Sequence, residues 1–119
     1  MLFFAGGGVN DASTRYSAYT LAKISLIKAV EIFAAEMSDV KFLIVAPGWV
    51  KTKILDSVFG SKEKAGPHYE KALKVFADDN FTSMNEVINC CNHLIEGPLS
   101  RLSGCNYSVV FDGWDDPNF

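Results

Sequence analysis

Residues 40–48, Val40-Lys41-Phe42-Leu43-Ile44-Val45-Ala46-Pro47-Gly48, carry the reading of the fold. Five apolar residues in a row, rich in β-branched and aromatic types and stopped by Pro-Gly, read as a strand, and the wholly apolar residues 2–5 suit a strand buried on both faces. That pattern belongs to a parallel sheet covered by helices, and it asks for a second such strand with a helix between. Leu2-Phe3-Phe4-Ala5, ending in Gly6-Gly7-Gly8, supplies the strand. Arg15 to Met37 supplies the helix, with Ala18, Leu21, Ala22, Ser25, Ala29, Ile32 and Phe33 at three- and four-residue steps. Ser13 or Thr14 is available as its N-cap, and Ser38-Asp39 ends it.

Downstream, residues 49–82 are irregular, with short helices expected around 53–59 and 67–77, Pro67 suiting the first turn of the latter. Ser83-Met84-Asn85-Glu86 matches a capping box, opening a helix with Met84, Val87, Ile88, Cys91, Leu94 and Ile95 on one face. Gly97-Pro98 stops it. A third strand is expected over about 106–111. Strand, helix, strand, insert, helix, strand predicts an α/β domain of about three parallel strands, side by side in chain order, with crossover helices.

The totals are those of one globular domain over 1–119: 119 residues, 49% hydrophobic and 21% charged. A net charge of −3 provides no basic field for nucleic acid. No apolar run reaches the ~18–20 residues of a membrane helix. Met1–Ala5 lacks a basic flank and runs into glycines, which argues against a signal peptide. The cytoplasm is the expected compartment. Three cysteines, Cys90, Cys91 and Cys105, form no CxxC pair and suggest neither a disulfide framework nor a metal site.

Tyr19 and Lys23 stand four apart in the long helix, so their side chains share a face. A free phenol titrates near ~10, and a neighbouring ammonium favours the phenolate, which suits proton transfer. On spacing alone, such a pair is usually an ordinary surface contact. Its placement adds weight. In open parallel sheets, ligands bind beyond the carboxyl ends of the strands. Gly6-Gly7-Gly8, the start of the Tyr19 helix and Pro47-Gly48 all belong to that edge.

The chain here resembles the classical short-chain dehydrogenase/reductase superfamily, through Tyr19-x-x-x-Lys23, Pro47-Gly48-x-Val50-x-Thr52 and Leu102-Ser103-Gly104. The resemblance spans the chain but only about the second half of a family domain, a partial Rossmann-like fold of NAD(P)-binding type. It implies an oxidoreductase acting on a small alcohol or carbonyl compound with NAD or NADP. Tyr19 would exchange the proton, and Lys23 would favour its phenolate and hold the nicotinamide ribose. Pro47, Gly48, Val50 and Thr52 would line the nicotinamide pocket. Residues 53–77 would form the substrate lid, with Trp49 and Phe59 as the bulky groups nearest the site. The family usually carries a serine thirteen residues before its tyrosine, and Gly6 stands there. The pyrophosphate-binding glycine turn and a further catalytic asparagine would precede Met1; Asp11 takes the third glycine position of G-x-G-x-x-G. The alternative is a non-catalytic remnant or assembly module. The long helix is apolar nearly all round, which implies a homo-oligomer or partner chain covering Leu26, Ile27, Val30 and Ala34.

Overall fold

The computed structural model describes residues 1–7, 9–10, 12–60, 62–116 and 119. Gly8 and Asp11, named above, lie outside the described residues. Three strands form one parallel sheet in the order β1-β2-β3: β1 Leu2–Phe4, β2 Leu43–Ala46 and β3 Asn106–Ser108. Leu2 pairs with Leu43, and Ile44 with Asn106, so β2 is central. The expected strand order and direction are both observed.

Helix α1 (Ser17–Glu36) crosses from β1 to β2. The insert then folds into α2 (Ile54–Phe59), α3 (Lys62–Ala65) and α4 (Pro67–Ala77). Helices α5 (Met84–Glu96) and α6 (Leu99–Leu102) lead into β3. The short α3 and α6 have no counterpart in the sequence reading, because four residues are too few to show a helical period.

Alternation along β2 builds two cores, one on each face of the sheet. Phe42 and Ile44 meet Val30 of α1, with Phe3, Leu26, Ile27 and Ala34 around them. Leu43 and Val45 meet Val87, Cys90 and Leu94 of α5, together with Tyr107 and Val109. A third cluster, Val58, Ala65 and Ala72 with Trp49, Phe59 and Tyr69, belongs to the insert alone.

Five expectations change. Leu26, Ile27, Val30 and Ala34 face the sheet rather than a partner; the open face of α1 carries Leu21, Ile24, Ile32 and Phe33. Helix α5 is also turned from its expected face, with Cys90 buried while Met84, Ile88 and Ile95 are exposed. A helix apolar on more than one side cannot reveal from its own period which side meets the sheet. Helix α1 begins at Ser17 with no side-chain cap, because Arg15 takes a left-handed φ of 68° and breaks the turn. Strand β3 ends at Ser108, where the Ser108 hydroxyl accepts from the Val110 and Phe111 amides and Asp112 accepts from the Ser108 amide. Residues 2–5 are not buried on both faces: Phe4 is 45% exposed on the uncovered edge strand.

The capping box forms as read, with the Ser83 hydroxyl accepting from the Glu86 amide and the Glu86 carboxylate from the Ser83 amide. Those bonds hold the Glu86 carboxyl below its ordinary value. At the other end of α5, the Lys41 ammonium donates to the carbonyls of Leu94, Ile95 and Gly97, joining the helix terminus to the chain two residues before β2. The radius of gyration, 15.5 Å, exceeds the roughly 13.5 Å expected of a closed domain this long. The excess reflects an elongated body, 46 × 28 × 21 Å along its principal axes.

Candidate functional site

The carboxyl ends of β1 and β2 lie side by side, tied by the Ala5 amide donating to the Val45 carbonyl at 2.8 Å. Beyond them run Gly6-Gly7 on one side and Pro47-Gly48 on the other. Helix α1 returns over β1 so that Tyr19 and Lys23 both reach this end. The ammonium of Lys23 lies 5.9 Å from the centre of the Tyr19 ring. The pair therefore meets as its spacing predicted.

Its partners were not foreseen. Lys23 Nζ donates to the Phe4 carbonyl oxygen at 2.8 Å. In a parallel ladder of this register, Phe3 bonds toward β2 and the polar groups of Phe4 point to the unpaired side. Lys23 thus satisfies an acceptor on the open edge of the sheet, one of the ways in which edge strands are blunted. The Tyr19 side chain folds down onto Gly6. A β-carbon at Gly6 would lie 2.6 Å from the Tyr19 hydroxyl, 2.9 Å from its Cε1 and 2.7 Å from Lys23 Cγ. Glycine at position 6 is what lets the phenol and the lysine stem approach the backbone. A serine there would have to displace both.

The second loop is also more tightly held than a strand-ending turn requires. Gly48 has φ +74°, and a β-carbon on it would meet Thr82 Oγ1 at 2.6 Å and Val110 Cγ2 at 2.7 Å. Glycine is therefore needed twice over, for conformation and for room. Thr82 donates its amide to the Trp49 carbonyl at 2.8 Å, and Val50 forms an isolated parallel bridge with Thr82. Val50 packs against the α5 core, whereas Gly48 and Thr52 are exposed. The Thr52 carbonyl accepts from the Leu55 amide, and no side chain caps α2. Trp49 and Phe59 turn into the core of the insert, where Phe59 meets Tyr69 and Phe76 edge-on.

Three contributors escaped the sequence reading: Thr82, which closes over Gly48, and Tyr16 and His68, whose tilted rings lie 4.3 Å apart beside Tyr19. No local pattern marks them, since His68 meets Tyr16 across 52 residues of chain and Thr82 meets Trp49 across 33. The arrangement presents a phenol and a primary ammonium together at the carboxyl end of β1. Among the described residues no group of His, Cys, Asp or Glu could hold a metal ion, and no helix is long and apolar enough to cross a membrane. Searches against protein-family models and curated proteins return no match for this chain.

Proposed function

We propose that this chain is the C-terminal half of a short-chain dehydrogenase/reductase-type, Rossmann-like domain, acting within a complete domain as an NAD(P)-dependent oxidoreductase on a hydroxyl or carbonyl substrate. The observation that carries the reading is the meeting of Tyr19 and Lys23 at the carboxyl end of β1, next to the Pro47-Gly48 loop at the end of β2. Ligand crevices of open parallel sheets form at such neighbouring strand ends.

The residues present suit the nicotinamide half of the cofactor. Exposed Gly48 and Thr52, with half-buried Pro47 and Val50, would border it, and the Lys23 ammonium would bond its ribose. When bound, the cofactor supplies or accepts the hydride at the substrate carbon. Tyr19 gives a proton to the carbonyl oxygen in reduction, or takes it from the hydroxyl in oxidation. Lys23 favours the phenolate state of Tyr19. With Gly6 at the end of β1, Tyr19 is the hydroxyl closest to that backbone, and it must both orient and protonate the substrate oxygen. To reach a ribose, Lys23 must release the Phe4 carbonyl. That exchange becomes easy once another strand's amide satisfies the carbonyl.

A second reading, an assembly module without catalysis, is favoured by the same bond. A lysine committed to the sheet edge and a tyrosine packed on glycine are sufficient structural roles.

The test joins the chain to a dinucleotide-binding half and follows NAD(P)H absorbance with a panel of ketones and alcohols. Tyr19→Phe should lower the rate roughly a hundred- to ten-thousand-fold, the usual cost of losing a positioned acid/base. Undiminished turnover in Tyr19→Phe would refute the assignment, and absence of turnover in every joined form would leave the assembly reading. By itself the chain should bind NAD or NADP no tighter than about millimolar in calorimetry, because among the described residues no glycine-rich turn opens a helix N-terminus to cradle a pyrophosphate.

A further inference from the structure

Beside the Tyr19 helix lies an open cavity of about 870 Å³, lined by Arg15, Lys62, Glu63, Lys64 and Gly66. Three cations and one carboxylate give it a local charge of +2, on a chain whose net charge is −3. Like charges are not gathered this way without electrostatic cost. None of the three cations forms an ion pair among the described residues; the ion pairs found are Lys28–Glu31 and Lys51–Asp79.

Contacts between the residues before α1 and the insert hold this open concavity together. Arg15 holds a left-handed backbone, a strained state for a residue with a side chain, and such states gather at functional sites. Its guanidinium donates to the Glu63 carbonyl, and its stem packs on Gly66, where a β-carbon would lie 2.8 Å from Arg15 Cδ. Lys62 is steered by the Tyr69 ring, 5.1 Å from its ammonium. Arg15 stands four residues before Tyr19, and the Tyr16–His68 ring contact links the α4 start to the Tyr19 ring.

We infer that Arg15, Lys62 and Lys64 form a binding site for a carboxylate or phosphate group, and that the substrate turned over at Tyr19 carries such a group. The second clause rests on the oxidoreductase reading; the first stands without it. Arginine supplies a planar pair of donors and the lysines supply point charges, the usual recognition of these groups.

The experiment titrates the whole chain with inorganic phosphate and, separately, with succinate, at constant ionic strength, following backbone and Arg15 side-chain resonances. Saturable shifts centred on Arg15, Lys62 and Lys64 are expected, and the tighter of the two probes names the group. Lys62→Gln with Lys64→Gln should weaken binding about tenfold, with Lys28→Gln as the unaffected control. Both lysines are exposed, so the double variant keeps its fold, which its spectrum reports. Shifts that never saturate, that appear equally at Lys28, or that survive in the double variant would overturn the site. In the joined domain, the same double variant should raise KM for an acidic carbonyl compound and leave a neutral one unchanged. Equal KM effects on both would overturn the substrate assignment. Phosphate or succinate binding with no turnover in any joined form would remove the oxidoreductase reading and leave the site.

Discussion

Gly6→Ala brings a β-carbon to 2.6 Å from the Tyr19 hydroxyl and 2.7 Å from Lys23 Cγ, well inside van der Waals contact. Two effects of opposite sign follow. An alanine reduces the freedom of the unfolded chain, which favours the fold by about 0.4–1 kcal/mol where the backbone tolerates it. Overpacking a filled position costs about 1–3 kcal/mol. The clash wins, because the ring edge at 2.9 Å and the lysine stem cannot both give way by rotating a terminal atom. The net loss is about 1–2 kcal/mol, which for a urea slope of about 1.5 kcal/mol/M lowers the unfolding midpoint by roughly 1 M. A double-mutant cycle with Tyr19→Ala isolates the contact: the loss caused by Gly6→Ala should shrink by about 1 kcal/mol once the ring is gone. A Gly6→Ala variant as stable as the parent, or strict additivity in the cycle, would refute the packing of Tyr19 on Gly6. Gly6→Ser, which restores the hydroxyl the resembling family carries, meets the same obstruction and should lower stability before it can add any chemistry.

Lys41→Met removes the cation that binds three carbonyls at the end of α5 and should cost about 1–2 kcal/mol in urea unfolding; an unchanged midpoint would contradict that role. Burial, with smaller contributions from Cys91 and Asp112, pushes the Cys90 thiol up from 9.0 to about 11. The folded chain then keeps a proton that the unfolded chain has lost, so this contribution is whole below about pH 9 and is lost as pH rises toward 11. Midpoints that hold steady from pH 8.5 to 11, or a fall equally steep in Cys90→Ala, would count against it. Association through α1 would cover Leu21 and Ile32, 64% and 45% exposed, so Ile32→Asp should reduce any oligomer seen in sedimentation; an unaltered oligomer places the contact elsewhere.

Much of the frame was legible because it is written in neighbours along the chain. The apolar run before Pro47-Gly48, the three- and four-residue steps of α1 and the Ser83–Glu86 box are local signals, and local hydrogen bonding and burial turn each into its element. Parallel pairing follows too, since a helix lies between successive strands. The spacing of Tyr19 and Lys23 determined that the two would share a helix face. It could not say what that face would touch. That Lys23 bonds the Phe4 carbonyl depends on which edge of β1 is left unpaired, a property of the sheet. The faces of α1 and α5 that meet the sheet were decided by competition among several apolar sides. The contacts of Arg15 with Glu63 and Gly66 and the closure of Thr82 over Gly48 likewise join residues far apart in the chain. In each case the deciding partner lies far away in sequence, and only the assembled layers bring it within reach.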